Sequence, residues 1–177
     1  MGRMFEIQEV IDRPLSAEEL VTRYRTLSED SCFANVPGKV ELDAWGRMLM
    51  TPPSFYHGVI QGRLARKLAA LGGEAVTEAP IATPSGLILA DVAWASAQFM
   101  SAHGSEFAPT RAPEICIEIV SASNSVKELG EKRDAYFAAG AQEVWCLFLQ
   151  SKRFVFHGQA GLLPKSAYPV DLDDVFR

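Results

Sequence analysis

Two strand-like apolar segments with one helix between them constrain the fold of this chain most strongly. The segments cover residues 114–120 and 144–149, and a helix predicted over about 125–139 separates them, ended by Gly140. A strand, a crossover helix and a second apolar strand form a βαβ unit, in which the two strands are parallel and covered on both faces. We therefore expect these strands at the centre of a sheet that has helices packed on it.

The earlier part of the chain adds hairpins and two further helices. The capping-box pattern of Ser16 and Glu19 predicts a first helix over about 17–26. At 177 residues, and at roughly 150 residues per domain, the chain is expected to form a single domain over residues 1–177. The fold class is α/β or α+β, with a mixed central β-sheet flanked by helices. The remaining predicted elements are strands over 39–42, 47–50, 74–80, 87–95 and 153–157, and a helix over about 55–71 behind the Pro52-Pro53-Ser54 break.

Composition and charge exclude several classes of protein. The longest purely apolar run, residues 144–149, is far shorter than the ~18 residues of a membrane span. The first residues contain no apolar stretch typical of a signal peptide, so we expect a cytoplasmic protein with no membrane segment. A net charge of −5 disfavours a protein that coats nucleic acid and confines DNA contact to a local patch. Of the cysteines Cys32, Cys116 and Cys146, the last two are expected in the core, because the spacing fits neither disulfides nor zinc.

Two carboxylates stand inside segments that are otherwise apolar. Asp91 interrupts the strand predicted over 87–95, and Glu118 interrupts the central strand over 114–120. An isolated ionised carboxylate in a dry core must be paired, protonated or bound to a cation, because its burial is costly. A strand-end carboxylate that reaches water or an arginine would explain either residue alone. Two of them on different strands favour a shared divalent cation, Mg²⁺ or Mn²⁺.

The order of these residues along the chain is similar to a known pattern. An Asp on a hairpin strand, followed by a strand that carries Glu, resembles the PD-(D/E)XK nuclease superfamily. More closely, residues 15–157 resemble the Uma family of restriction-endonuclease-like proteins. That resemblance rests on Glu41, Pro52-Pro53-Ser54 with His57, Asp91, Glu118 with Ser121, Lys132 with Tyr136, and Gly140.

The resemblance implies a restriction-endonuclease-like fold with a catalytic core over about 39–157, a Mg²⁺ or Mn²⁺ cofactor and endodeoxyribonuclease activity. Asp91 and Glu118 would be the metal ligands, and Glu41 an additional acidic residue beside them. Val120 stands where the superfamily has its lysine, a substitution that the Uma family shares, with the lysine moved to the following helix.

Helical geometry selects between the two lysines of that helix. Relative to Leu129, Lys132 lies at about −60°, on the border of the buried stripe, and Lys127 lies at about +160°, toward solvent. A lysine on the border can lay its stem along the core and bring its ammonium to Glu118. For an isolated residue an ordinary surface lysine would be the better interpretation, but the Lys132-Tyr136 pair also matches the position of the lysine in the Uma family. We therefore predict Lys132 as the third catalytic residue.

Three further residues are candidate site residues, each with an ordinary alternative. Glu41 is an additional acid or an exposed carboxylate of an edge strand. His57 lies near a helix start, where free N–H groups attract phosphate, or is a packing histidine. Glu78 is a solvated strand-end residue, or it faces the site because its strand leads into the hairpin that carries Asp91.

The function predicted from these residues is metal-dependent endonucleolytic hydrolysis of DNA. One alternative is a non-catalytic nucleic-acid-binding or regulatory module on the same fold, and another is an enzyme that acts on a smaller phosphorylated substrate. A homodimer would let two sites cut both strands of a duplex by two-fold symmetry. The local basic patch predicted to contact DNA consists of Arg63, Arg66, Lys67 and Lys132.

Overall fold

The structure is a computed structural model that describes residues 12–30, 38–51, 54–121 and 124–177. Four helices lie in these ranges: α1 (Ala17–Glu29), α2 (Phe55–Ala69), α3 (Ala97–His103) and α4 (Val126–Ala138). The strands are β1 (Lys39–Asp43), β2 (Met48–Thr51), β3 (Glu74–Thr83), β4 (Gly86–Ala95), β5 (Ile115–Val120), β6 (Glu143–Phe148), β7 (Arg153–Gly158) and β8 (Gly161–Leu163). Cys32, Pro52, Pro53 and Ala122 lie outside the described residues.

One mixed sheet contains all eight strands. Its order is β2-β1-β4-β5-β6-β7-β8, and β3 pairs with β4. The pairing of β5 with β6 is parallel, and the other strand pairs are antiparallel. Helix α4 makes the crossover between β5 and β6, so the βαβ unit predicted from the sequence is confirmed, as is the mixed α/β fold class.

Strand β4 pairs along its whole length with β3, but its other edge is shared by two strands. At one end Leu87 pairs with β1, and at the other end Val92–Trp94 pair with β5. Gly86 lets β1 approach this closely, because it has a φ of +133° and a Cβ there would lie 2.2 Å from the Leu42 carbonyl oxygen. Between the two contacts β1 and β5 diverge, and the sheet forks along one edge of β4.

The cores on the sheet faces explain why the helices form where they do. Ile60, Leu64 and Leu68 of α2 are fully buried in one apolar cluster, whereas Leu71, predicted in the same stripe, is only partly buried.

Cys116 and Cys146 are buried and free, as expected for core residues. The capping box at the start of α1 is present, with Ser16 accepting from the Glu19 N–H, and the helix extends to residue 29.

Two short elements were not predicted from the sequence. Helix α3 has seven residues and β8 has three, which is too short for either to display a periodic pattern. Gly140 follows α4 with a φ of +105°, as its predicted position past the helix end requires. No helix in the described ranges is both long enough and apolar enough to cross a membrane.

Candidate active site

Where the sheet forks beside β4, two backbone N–H groups have no partner on a neighbouring strand and donate hydrogen bonds to carboxylates instead. Leu89 N–H donates to Glu41 Oε1 at 2.9 Å, and Ile119 N–H donates to Asp91 Oδ2 at 2.7 Å. Asp91 thereby connects β4 to β5 where the strands no longer pair. These charge-assisted bonds hold both carboxylates at the floor of the fork.

Asp91 is 4% exposed and has a lysine and a histidine as partners besides the Ile119 N–H. Its Oδ1 lies 2.9 Å from the Lys39 ammonium and 3.2 Å from His57 Nε2. Burial acts to raise the pKa of Asp91, but the His57 hydrogen bond and the Lys39 charge outweigh it and lower that pKa to about 2. The hydrogen bond with Asp91 in turn raises the pKa of His57.

Glu118 lies across the fork from Asp91, on β5, and is 6% exposed. Its Oε1 accepts from the hydroxyl of the fully buried Tyr136 at 2.5 Å, and its Oε2 lies 3.3 Å from the Lys132 ammonium. Burial raises the pKa of Glu118, although the Lys132 charge opposes that shift. A bound cation would act in the same direction as the Lys132 charge and favour the ionised form of Glu118.

The structure places Lys132 and Lys127 of α4 very differently. The Lys132 ammonium lies 2.9 Å from Glu41 Oε1 as well as 3.3 Å from Glu118, and its side chain is 24% exposed. The Lys127 side chain is 85% exposed, with its ammonium 3.6 Å from Glu131. Burial lowers the pKa of Lys132, but the charges of Glu118 and Glu41 outweigh it, so that pKa is raised and the ammonium stays protonated.

Glu78 has an unusual backbone that directs it into the same cavity. It sits in β3 between Thr77, which pairs with Val92, and Ala79, which pairs with Ala90, so its register position faces Asp91. Its φ is +50°, a left-handed conformation that costs a non-glycine residue about 1–2 kcal/mol. Strain of this kind persists where the surrounding structure enforces it, often at functional sites.

The Glu78 carboxylate is only partly satisfied. Oε1 accepts from the side-chain amide of the buried Gln61, which also donates to the Asp91 carbonyl oxygen at 3.1 Å. Oε2 is a buried oxygen with no hydrogen-bond partner among the described residues, with the Lys39 ammonium 3.8 Å away. A buried carboxylate oxygen without a donor is an acceptor available to a cation.

The donor set fits a divalent cation. Side-chain ligand atoms of His57, Glu78 and Asp91 lie within 4.8 Å of one another. With Glu41 and Glu118 the cavity contains four carboxylates, against the ammonium groups of Lys39 and Lys132. Carboxylate oxygens are the ligands that Mg²⁺ prefers, and Mn²⁺ also accepts imidazole nitrogen.

A cavity of about 980 Å³ is lined by residues of α1, β1, β2, α2, β3, β4, β5 and α4. All six residues predicted from the sequence as site residues occupy it or its floor: Asp91, Glu118, Lys132, His57 and Glu78 line the cavity, and Glu41 is bonded to Lys132. A cavity of this size lies within the range of ligand-binding clefts.

Three residues of the site were missed by the sequence reasoning, or were not assigned a site role. Lys39 lies two residues before Glu41, so a strand places both on one face, and this spacing could have identified it. Gln61 follows His57 by four residues, and Tyr136 follows Lys132 by four, spacings that share a helix face. In each case the signal is a polar residue one period from a predicted site residue.

The four basic residues predicted to contact DNA do not form one patch of free cations. Arg63 donates to the Val175 carbonyl at 3.1 Å, and the Lys67 ammonium lies 3.3 Å from Asp171. Both therefore contact the C-terminal segment. Arg66 is exposed, and Lys132 lies in the cavity among carboxylates.

Comparison with known proteins assigns the family. The model of the Uma2 family, described as "Putative restriction endonuclease", matches residues 26–173, which is more than half of the chain. The chain belongs to the Uma2 family. This confirms the resemblance inferred from the ordered motifs.

A solved structure supports the same fold. It is described as a "putative nuclease belonging to DUF820" from Anabaena variabilis ATCC 29413, with a TM-score of 0.67 and 15% identity, covering 92% of this chain and 98% of that chain. At this identity the similarity shows that the two chains share a fold, and no more. No curated protein matches the sequence.

Proposed function

We propose that the protein is a metal-dependent endodeoxyribonuclease of the PD-(D/E)XK type. The observation that carries this proposal is the convergence of Asp91 and Glu118, from two strands, with Lys132 at one cavity. A divalent cation bound there would act as a Lewis acid on the phosphate and lower the pKa of the attacking water. The family assignment supports this chemistry.

The contacts of each site residue suggest its role in the proposed reaction. Asp91 and Glu118 would hold Mg²⁺ or Mn²⁺, with the partly unsatisfied Glu78 as a third carboxylate. The Lys132 ammonium, fixed by Glu41 and Glu118, would stabilise negative charge that develops on the phosphate. Glu41 is then a positioning residue.

His57 has a place in the same scheme. Its ring nitrogen lies 3.2 Å from Asp91 Oδ1, so it would orient that carboxylate or bind Mn²⁺ directly. Gln61 positions the Glu78 carboxylate and the backbone of Asp91 through its two donated hydrogen bonds.

The test is cleavage of plasmid and linear duplex DNA with Mg²⁺ or Mn²⁺. We expect nicking by the wild-type protein, and its loss in Asp91→Asn and in Glu118→Gln. Glu131→Gln, which alters an exposed carboxylate of α4, is the matched control and should cut like the wild type. Cleavage that survives in either site variant would contradict the proposal.

The same experiment separates the alternatives that the sequence left open. Duplex binding without cleavage in the presence of Mn²⁺ would favour a non-catalytic nucleic-acid-binding or regulatory module. Failure to bind duplex DNA, with hydrolysis of a small phosphodiester, would favour an enzyme for a smaller phosphorylated substrate. The cytoplasmic location stays a prediction.

A homodimer is the proposed assembly for cutting both strands of a duplex. The hairpin end of the sheet supports it, because the end strand β2 carries exposed Met48, Leu49 and Met50 and no charge. In the described ranges no strand pairs with the outer edge of β2, and such an edge can pair antiparallel with a second copy. Light scattering should give a dimer for the wild type and a monomer for Leu49→Lys. A monomeric wild type would contradict this assembly.

A further inference from the structure

The Lys39 ammonium occupies the acidic side of the cavity. It lies 2.9 Å from Asp91 Oδ1, 3.7 Å from Glu41 Oε1 and 3.8 Å from Glu78 Oε2. Its side chain is only 13% exposed. One positive group therefore contacts three carboxylates, which is the charge environment that a bound cation would have.

An ammonium and a divalent cation cannot share this position. Both would use Asp91 Oδ1, the oxygen that Lys39 approaches most closely. Two positive charges within about 4 Å repel strongly in a partly desolvated cavity, where the effective dielectric constant is low. Lysine is also able to leave, because its ammonium sits on a flexible four-carbon stem and is readily hydrated.

The two lysines of the cavity are held differently. Lys132 bridges Glu41 and Glu118 at 2.9 and 3.3 Å, so it joins β1 to β5 across the fork. Lys39 reaches from the first residue of β1 to the oxygens that a cation would need, including the Glu78 Oε2 that lacks a hydrogen-bond donor. Lys39 is therefore the cation that contacts carboxylates of the His57, Glu78 and Asp91 cluster, whereas Lys132 contacts Glu118 on the other side of the fork.

We propose that Lys39 is an internal counter-ion that occupies the metal position at Asp91 and must be displaced before a divalent cation binds. This inference rests on the proposed metal site and adds a residue that controls its occupancy. A conformer that is populated to 10% or less reduces the apparent affinity of its ligand about ten-fold or more. If the conformer with Lys39 displaced is minor, removing the ammonium should increase metal affinity by at least that factor.

The first experiment is calorimetric titration of the metal-free protein with Mn²⁺. Lys39→Met removes the charge and keeps most of the stem, Lys39→Arg keeps a positive charge on a longer, planar head group, and Lys127→Met removes an exposed lysine. Asp91→Asn gives the background without the site. We expect Lys39→Met to bind Mn²⁺ at least about ten-fold more tightly than the wild type, Lys127→Met to stay within about two-fold of the wild type, and Lys39→Arg to bind no more tightly than the wild type.

Each result decides between the two claims. Suppose that the wild type binds Mn²⁺ above the Asp91→Asn background and that Lys39→Met binds it no more tightly than the wild type. That result would overturn the counter-ion proposal alone. If the wild type and Lys39→Met both show no more Mn²⁺ binding than Asp91→Asn, the metal site and this inference are overturned together. Binding that appears only when Lys39 is replaced by Met would support the proposal in its strongest form.

A second measurement uses the wild-type protein and so does not depend on how the variants fold. Brief acetylation with acetic anhydride, read by mass spectrometry, reports the accessibility of each lysine. Adding Mg²⁺ should increase the acetylation rate of Lys39 several-fold, because its ammonium leaves Asp91, and leave the rate of the exposed Lys127 unchanged. A Lys39 rate that is unchanged or lower with Mg²⁺ would contradict displacement.

Discussion

Replacing Tyr136 by phenylalanine removes one hydroxyl from the centre of the site. That hydroxyl donates to Glu118 Oε1, both residues are buried, and phenylalanine keeps the ring packing. A buried acceptor left without its donor costs about 1–3 kcal/mol. At about 2.1 cal/mol/K per residue, unfolding a chain of this length has an entropy of about 0.4 kcal/mol/K, so the melting temperature should fall by about 3–8 °C.

The assay is thermal unfolding of the metal-free protein followed by circular dichroism. Tyr168→Phe is the matched control, because its hydroxyl donates to Gln142 at 2.8 Å on the exposed surface, and its effect should be within about 0.5 kcal/mol. The loss of the Tyr136 donor should also raise the pKa of Glu118 further, since that hydrogen bond lowers it. Equal melting temperatures for the two variants would refute the reasoning.

Three further predictions follow from the geometry. Lys132→Met should abolish DNA cleavage while Lys127→Met keeps it, and equal effects in the plasmid assay would contradict the assigned role. Gly86→Ala should lower the free energy of unfolding in chemical denaturation by about 2 kcal/mol or more, because the Gly86 φ is +133° and the new methyl group would meet a β1 carbonyl. Gly130→Ala should raise that free energy by about 0.5–1 kcal/mol, because no atom lies within 4 Å of the position of its new Cβ. The hydrogen bond with Asp91 raises the pKa of His57, so the stability that His57 adds to the metal-free protein is present below pH ~6.5 and is lost as the pH rises through the raised pKa. If the difference in the free energy of unfolding between the wild type and His57→Ala grows toward alkaline pH, this prediction is contradicted.

The sequence predicted the parts of this protein that depend on local pattern. The parallel strands β5 and β6 follow from two apolar segments joined by a helix, and Asp91 and Glu118 were visible because a charge inside such a segment needs a partner. The choice of Lys132 followed from the helical angle together with the resemblance of the Lys132-Tyr136 pair to the Uma family.

The rest depends on contacts that no local pattern contains. The fork of the sheet arises where β1 and β5 meet β4 at different ends, and it decides that Glu41 and Asp91 bind backbone N–H groups. The left-handed conformation of Glu78 could not be predicted, because the position carries neither a glycine nor an asparagine, the residues typical of that conformation.

The surroundings of the basic patch could not be predicted either, and its contact with DNA stays a prediction. Lys67 meets Asp171, and Arg63 meets the Val175 carbonyl, each more than a hundred residues away in the chain. A helix pattern identifies which side chains leave the core, but it does not reveal which distant segment covers them.

The most direct test of the account is anomalous diffraction from crystals soaked in Mn²⁺ at a concentration that saturates binding in solution. The account predicts one strong peak in the cavity, with Asp91 and Glu118 both coordinating it directly or through one water, and with the Lys39 ammonium moved away from Asp91. A peak that contacts neither carboxylate, or a cavity without a peak, would contradict it.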